Sequence, residues 1–505
     1  MAHVGPESVS RRSRFTPLRI ALIAVALLAV LLLWFALSVI YAEPKIAIDY
    51  GRKMHESVRA RQAMPPDAND GWLQIDTAIE KFNAARSQVA ARHPSLPPEA
   101  FDPTFLANPA AVFKYEDFTR QQAESVSREL LEAFGAAGGW DELEAFAAIP
   151  YAARPPFDGP LVQASIPDLG PSRSIARLCA ARLRLAAEAG EDAVMIAAFE
   201  QGTGLGRHLS GQATIIDHLV GMSIMALMQQ ELRMQILAGR VSAEAAEELL
   251  GVIDRQSPWP VAPVFEAERY VVLDTIQRCF SDNGRGNGHL LPTAASDLGG
   301  AAFGVTGVGL NKPPRVMNLA GLLHPDRRTT EARANEIFDG LAEYAAMTQT
   351  ERKAATGPDI DTLVNGNRLL ERLIPSGYTA IKSNCTIRAD REATRLMLAI
   401  EVHRARTGTY PAALDALADL LGGTVPLDPV VDRAFGYRLL GTPDRHQRPY
   451  LLYSITTDGV DNDGEMGDRP PETPILRRSG LTNVDYVYNQ PQAKLEPAAA
   501  ESDGE

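Results

Sequence analysis

Residues 20–41, IALIAVALLAVLLLWFALSVIY, contain no charged side chain. A run of this length crosses a hydrocarbon core of about 30 Å as a helix, so the pattern predicts one transmembrane span. Arg11, Arg12, Arg14 and Arg19 precede it, whereas Glu43 and Lys45 follow. By the positive-inside rule, residues 1–19 form a basic cytoplasmic segment and everything after the span lies outside the cytoplasm. A cleaved signal peptide would have an apolar core of about 7 to 15 residues and a small-x-small site after it. Here the run is longer and SVIYAEP is a poor match, so the segment reads as an uncleaved anchor.

Over residues 42–376 the pattern changes to helical spacing. In PSRSIARLCAARLRLAAEAG, Ile175, Leu178, Cys179, Leu185, Ala186 and Ala189 recur on one face; Ser172 or Ser174 is placed to cap the start and Gly190 to stop the run. ATIIDHLVGMSIMALMQQELRMQIL is apolar almost all round its first half, too short to span a bilayer, and interrupted by Asp217 and His218. It predicts a central core helix. Further helices are expected over 72–92, 115–134, 243–254, 264–280 and 331–347, joined by short connections into helical hairpins. GTGLG, Gly202 to Gly206, reads as a glycine break between helices, because a phosphate-binding loop needs a preceding strand and, in the Walker form, Gly-Lys-Ser/Thr.

After residue 376 strands enter. DREATRLMLAIEVHRARTGTYPAAL puts Ala393, Leu396, Met397 and Ile400 on one stripe of a helix, with Asp390 and Glu392 in its first turns and Gly408 at its end. PLDPVVDRAFGYRLL and RPYLLYSI, rich in aromatic and β-branched residues, predict antiparallel strands, and TNVDYVY a third. The preceding linker, LIPSGYTAIKSNCT, is short and partly apolar, so residues 388–490 should pack on the helical body. The expected fold class is therefore mainly α. A transmembrane helix (20–41) leads to a large all-α helical-hairpin body (42–376) and a small α+β module (377–490). The acidic tail (491–505) is expected to be disordered from about Lys494.

Composition narrows the function. The chain has 505 residues, 45% hydrophobic and 22% charged, enough for two to four packing units. A net charge of -13 argues against nucleic acid as a partner, since phosphate binding needs a basic surface. Cys179, Cys279 and Cys385 are an odd, widely spaced set, read as small buried hydrophobes rather than a disulfide framework. His208, Asp217 and His218 lack the i, i+4 spacing that puts two metal ligands on one helix face, which assigns them core or capping roles. FEAERYVVLDTIQRCFSDNGRGNGHL brings Glu266 and Tyr270 onto one face, with Arg269 and Asp274 close by and Asp282, Asn283 and Asn287 in the following loop. These residues form a polar network that serves as structural glue or, alternatively, as the site of a membrane-anchored hydrolase around Glu266, Arg269 and Asp274.

YSITTDGVDNDGEMGD, directly after an apolar run, concentrates Asp458, Asp461, Asp463, Glu465 and Asp468 among glycines. Calcium takes six to eight oxygen ligands on flexible backbone, and this loop supplies closely spaced carboxylates. It is no EF-hand: with Gly464 at the sixth position, Asp463 and Asp461 fall at the fifth and third, but Gly459 at the first.

The order of a helix, TGTYPAALDAL, VPLDP, FGYRL and YLLYSITTDGVDNDGE resembles the C-terminal part of type II secretion major pseudopilins, over about residues 388–470. Tyr410, Pro411, Asp428, Pro429, Tyr437, Tyr453, Ser454, Asp458 and Gly459 carry the likeness. The resemblance implies a small antiparallel sheet and a structural calcium ion in the loop. With the acidic pattern, it points to Asp458, Asp461, Asp463 and Asp468 as metal ligands. Thr456 stands where the motif has glycine, and Arg14, Pro17 and Arg19 stand where pilin processing and assembly require a glycine and an acid. The whole arrangement also resembles membrane-anchored proteins of planctomycete-type bacteria, a likeness that implies no activity. Together these readings lead to an expectation of a non-enzymatic, single-pass envelope protein of a bacterial inner membrane. It would bind or scaffold another envelope protein, with its large domain extracytoplasmic and a link to secretion-type assemblies.

Overall fold

The computed structural model describes residues 16–96, 101, 120–256, 264–282, 284–298, 313–374, 377–444, 447–455, 459–465 and 485–490. Asp458, Asp468, Asn283 and the tail beyond residue 490 lie outside them. The longer helices are Thr16–Ile40 (α1), Tyr50–Arg61 (α2), Leu73–Arg92 (α3), Arg120–Ala136 (α4), Gly139–Ala148 (α5) and Leu169–Ala189 (α6). Then follow Asp192–Ser210 (α7), Ile215–Leu237 (α8), Ala243–Arg255 (α9), Glu266–Cys279 (α10), Arg327–Ala346 (α11) and Gly377–Thr407 (α12). The strands are Leu427–Asp428 (β1), Arg433–Ala434 (β2), Gly436–Leu439 (β3), Tyr450–Ser454 (β4) and Tyr486–Val487 (β5). The protein is thus mainly helical, with one apolar N-terminal helix and a few small strands near the C-terminus.

The chain divides into two compact units, a smaller one of residues 1–49, 272–334 and 361–373 and a larger one holding the rest. In the smaller unit α1 presents its apolar side chains outward along almost its whole length. Its C-terminal end is tied down. The Ile40 carbonyl, one of the orphan acceptors of a helix end, receives the side-chain amide of Asn318 at 3.1 Å. Gln277 then takes the backbone amides of Ala47 and Ile48 and returns its own NH₂ to the Ile48 carbonyl.

In the larger unit one hydrophobic core runs from Trp72 and Phe82 through Phe146, Phe199 and Met228 to Met397, Leu452 and Tyr488. Residues 389–452 therefore share a core with α3–α9. α8 lies at its centre, packed on α6, α7 and α12. Thr214 starts α8 with a capping box: its hydroxyl accepts from the Asp217 amide, and the Asp217 carboxylate accepts from the Thr214 amide. The central helix expected here is present, and Asp217, at its third helical position in the capping box, takes one of the roles expected of it.

Three expectations are corrected. Gly202, Gly204 and Gly206 do not break the chain between helices but lie inside α7. A Cβ at Gly202 would sit 2.6 Å from Met228 Sδ, at Gly204 2.5 Å from Ala147 Cβ, and at Gly206 2.8 Å from the Gly221 carbonyl, so the glycines let α7 approach α5 and α8 closely. α6 starts at Leu169, which leaves Ser172 and Ser174 buried within it rather than capping it. The preceding Asp168 makes no side-chain cap either, because its carboxylate is held by Arg154 at 2.7 Å. α12 begins at Gly377 rather than near residue 388. Buried Ile381, Cys385 and Ile387 extend its apolar face, and Ile387 clusters with Met222, Met225 and Ala226 of α8. Packing, not linker composition, decides that boundary.

The strands form two antiparallel sheets, β1 with β2, and β3–β4–β5 with Tyr437 opposite Leu452 and Tyr453 opposite Val487. The expected third strand is β5.

Candidate functional site

One cluster of buried polar groups in the larger unit lies where α8 begins. Arg154 donates to both carboxylate oxygens of Asp217, at 3.0 and 2.9 Å, and to Asp168, while its guanidinium lies 4.8 Å from the Trp72 ring centroid. Asp217 and Asp168 are both buried. Around them Gln212 accepts from the Arg154 amide and donates to the carbonyls of Ala152 and His208, and Gln62 clasps the Ala152 amide and carbonyl. Glu268 of α10 accepts the first amide of α8, that of Ile215. Its Oε2 is out of solvent although the residue as a whole is only half-buried, and burial pushes the group up to about 7. His208 is buried against Phe146, ring centroids 4.6 Å apart, and burial, with Arg207 beside it, pushes it down to about 3. Neutral at any physiological pH, it is a core residue. Each charge in this knot has an opposite charge or a backbone dipole facing it, which is what burial demands.

The residues raised for a hydrolytic site have local partners. Arg269 pairs with Asp339 and Glu266 bonds Tyr270, whose hydroxyl is pushed up to about 12, first by burial and then by Glu266. In the smaller unit Asp274 receives Arg278 at 2.8 Å and the Gln277 amide at 2.9 Å. Cys179, Cys279 and Cys385 are buried free thiols, as expected; burial pushes Cys179 and Cys279 up to about 12, far from the reactive thiolate range.

The acidic loop after β4 is different in kind. Asp461, Asp463 and Glu465 are exposed. Asp461 Oδ1 accepts the Tyr453 hydroxyl at 3.1 Å and the Asp463 amide at 2.9 Å. Asp463 and Gly464 take successive left-handed conformations, φ 56° and 79°, a tight reversal that Asp tolerates better than most residues and Gly adopts without strain. Just before β5, buried Asp485 accepts the amides of Asn462 and Gly464 on Oδ2, at 2.9 and 2.8 Å, and its own amide donates to the Glu465 carbonyl. The loop is thus folded around two carboxylates that take its inward amides. Beneath it Ser454 donates to buried Asp428, whose second oxygen accepts the Val430 amide; burial pushes Asp428 up to about 6.

Of the four proposed metal ligands, Asp461 and Asp463 lie together in this loop, while Asp458 and Asp468 lie outside the described residues. Among the described residues no group of three or more His, Cys, Asp or Glu is set to hold a metal ion. The exposed carboxylates of the loop are hard oxygen donors. Sequence reasoning missed Asp485, which lies 22 positions beyond Asp463 and reaches the loop only through β4–β5 pairing. It also missed Arg154 and Asp168, in a proline-rich stretch with no periodicity to place them.

Comparison of the chain with protein-family models, with curated proteins and with solved structures finds no match.

Proposed function

We propose that the protein is a membrane-tethered, non-enzymatic envelope protein that binds or scaffolds another envelope protein, its large unit outside the cytoplasm. The observation that carries this reading is α1. Its Leu18–Ile40 stretch, 23 residues or about 34 Å of helix, is long and apolar enough to cross a bilayer and keeps its side chains turned outward. Arg11, Arg12 and Arg14 before it and Arg19 in its first turn favour a cytoplasmic N-terminus. A binding or scaffolding role is supported by the body's chemistry, since the charged side chains raised as catalytic are engaged in local ion pairs and hydrogen bonds.

Within this reading the acidic loop is a calcium-stabilised element of a pseudopilin-like tail. Asp461 and Asp463 supply carboxylates, Asp458 and Asp468 are the further candidates, and the ion's role is structural. Fractionation of native membranes tests the tether. The full chain stays in the pellet after alkaline carbonate extraction, and protease added to spheroplasts digests everything beyond the anchor. Release by carbonate, a mature N-terminus near residue 43, or a protected body overturns the reading. Affinity capture from those membranes then identifies the partner.

A further inference from the structure

We propose that the 3₁₀ segment Arg315–Leu323 is a second membrane contact, lying in the interface beside the end of α1 with Val316, Leu322 and Leu323 in the boundary between lipid headgroups and acyl chains. This rests on α1 being membrane-embedded. Outside α1, Leu323 is the most exposed large apolar side chain among the described residues, at 92%, and Val316 and Leu322 are 52% and 45% exposed.

The pattern is not accidental to the local geometry. A 3₁₀ helix repeats every three residues, so its side chains fall into three rows. Arg315, Asn318 and Gly321 form one row, of which Asn318 and Gly321 are buried against the protein while Arg315 is exposed. Asn318 is buried, donates to the Ile40 carbonyl and accepts the Thr293 hydroxyl at 3.0 Å. A Cβ on Gly321 would lie 1.8 Å from the Leu290 carbonyl, so the backbone is pressed against its neighbour there. The other two rows, Val316, Leu319 and Leu322, and Met317, Ala320 and Leu323, are entirely apolar. Met317 and Leu319 are half-buried, so in water the two rows would leave Val316, Ala320, Leu322 and Leu323 exposed.

Its place identifies what covers them. Asn318 holds the last carbonyl of α1, and the Arg315 guanidinium lies 5.5 Å from the Tyr41 ring centroid and 3.7 Å from Glu43. Tyrosine and arginine at the end of a membrane span belong at headgroup level. The segment is therefore mounted where the apolar span emerges, and no acidic residue within it opposes an anionic lipid surface. A lipid surface fits this site without any further protein.

The test uses the full-length protein in phosphatidylcholine vesicles, with Leu323→Cys carrying an environment-sensitive fluorophore. The three native cysteines are buried and do not take the label. Lipids bearing a nitroxide near the glycerol backbone should quench it more than lipids bearing one deep in the acyl chain, matching a depth of about 5–10 Å for interfacial segments. A label at Leu28→Cys, within α1, gives the opposite order, and one at Val316→Cys repeats the shallow result. Quenching by iodide as fast as at exposed Leu427→Cys, without nitroxide quenching, overturns the proposal. Shielding from both iodide and lipid nitroxides in native membranes also overturns it, because a protein then covers the face. If Leu28→Cys is quenched by nitroxides and Leu323→Cys is not, the anchor stands and only this inference fails; if neither is quenched, both fall.

Discussion

Asp168 and Asp217 are buried at the start of α8 with Arg154 between them, whereas Asp461 and Asp463 stand in solvent on the loop after β4. Both clusters lie in the larger unit and use the same functional group. In the first, removing the carboxylates from water is tolerated only because a cation and a helix N-terminus face them. In the second, water screens the charges, and Asp461 accepts the Tyr453 hydroxyl and the Asp463 amide with no cation facing it among the described residues. Burial obliges a carboxylate to face a cation or a helix N-terminus; exposure does not.

The largest effect separating the two is expected from Arg154→Met, which leaves Asp168 and Asp217 buried without their cation. It should cost about 3–5 kcal/mol in urea denaturation. A loss below about 1 kcal/mol would break the comparison at its buried end.

Glu268→Gln sharpens it with pH. The folded carboxyl titrates at about 7, above an unfolded value near 4.3, so its protonated form is the one the fold accepts. Its contribution is intact below about pH 4 and is lost as pH rises through 7. The variant, which still accepts the Ile215 amide, should match the parent near pH 4 and exceed it by up to about 3 kcal/mol at pH 8. Equal stability at both pH values would mean that the carboxyl is solvated.

An intermediate case is Asp485, which serves the exposed loop yet is itself buried. Asp485→Asn weakens two charge-assisted bonds from the Asn462 and Gly464 amides and should cost about 1–2 kcal/mol. The smallest effect is expected for Asp461→Asn with Asp463→Asn in the presence of a chelator, within about 0.5 kcal/mol of the parent.

How much of this was legible depends on the range over which the pattern acts. The apolar N-terminal helix, the core helix α8 and the β3–β4 pair follow from local periodicity and were readable directly. Gly202, Gly204 and Gly206 looked like a break because glycine is a poor helix former, and only the approach of α8 and α5 explains why a helix tolerates three of them. The start of α12 was hidden for a similar reason, as Ile387 packs on residues about 160 positions earlier. Asp461 and Asp463 were visible as a cluster, whereas Asp485 joins them through strand pairing that no window of the sequence contains.

The contrast between the clusters is tested most directly by hydrogen exchange of the full chain in detergent, with calcium and with a chelator. The account predicts slower exchange with calcium, confined to peptides within residues 450–490 and abolished by Asp461→Asn with Asp463→Asn. Identical exchange in both conditions, or calcium protection appearing instead around residues 154–217, would contradict it.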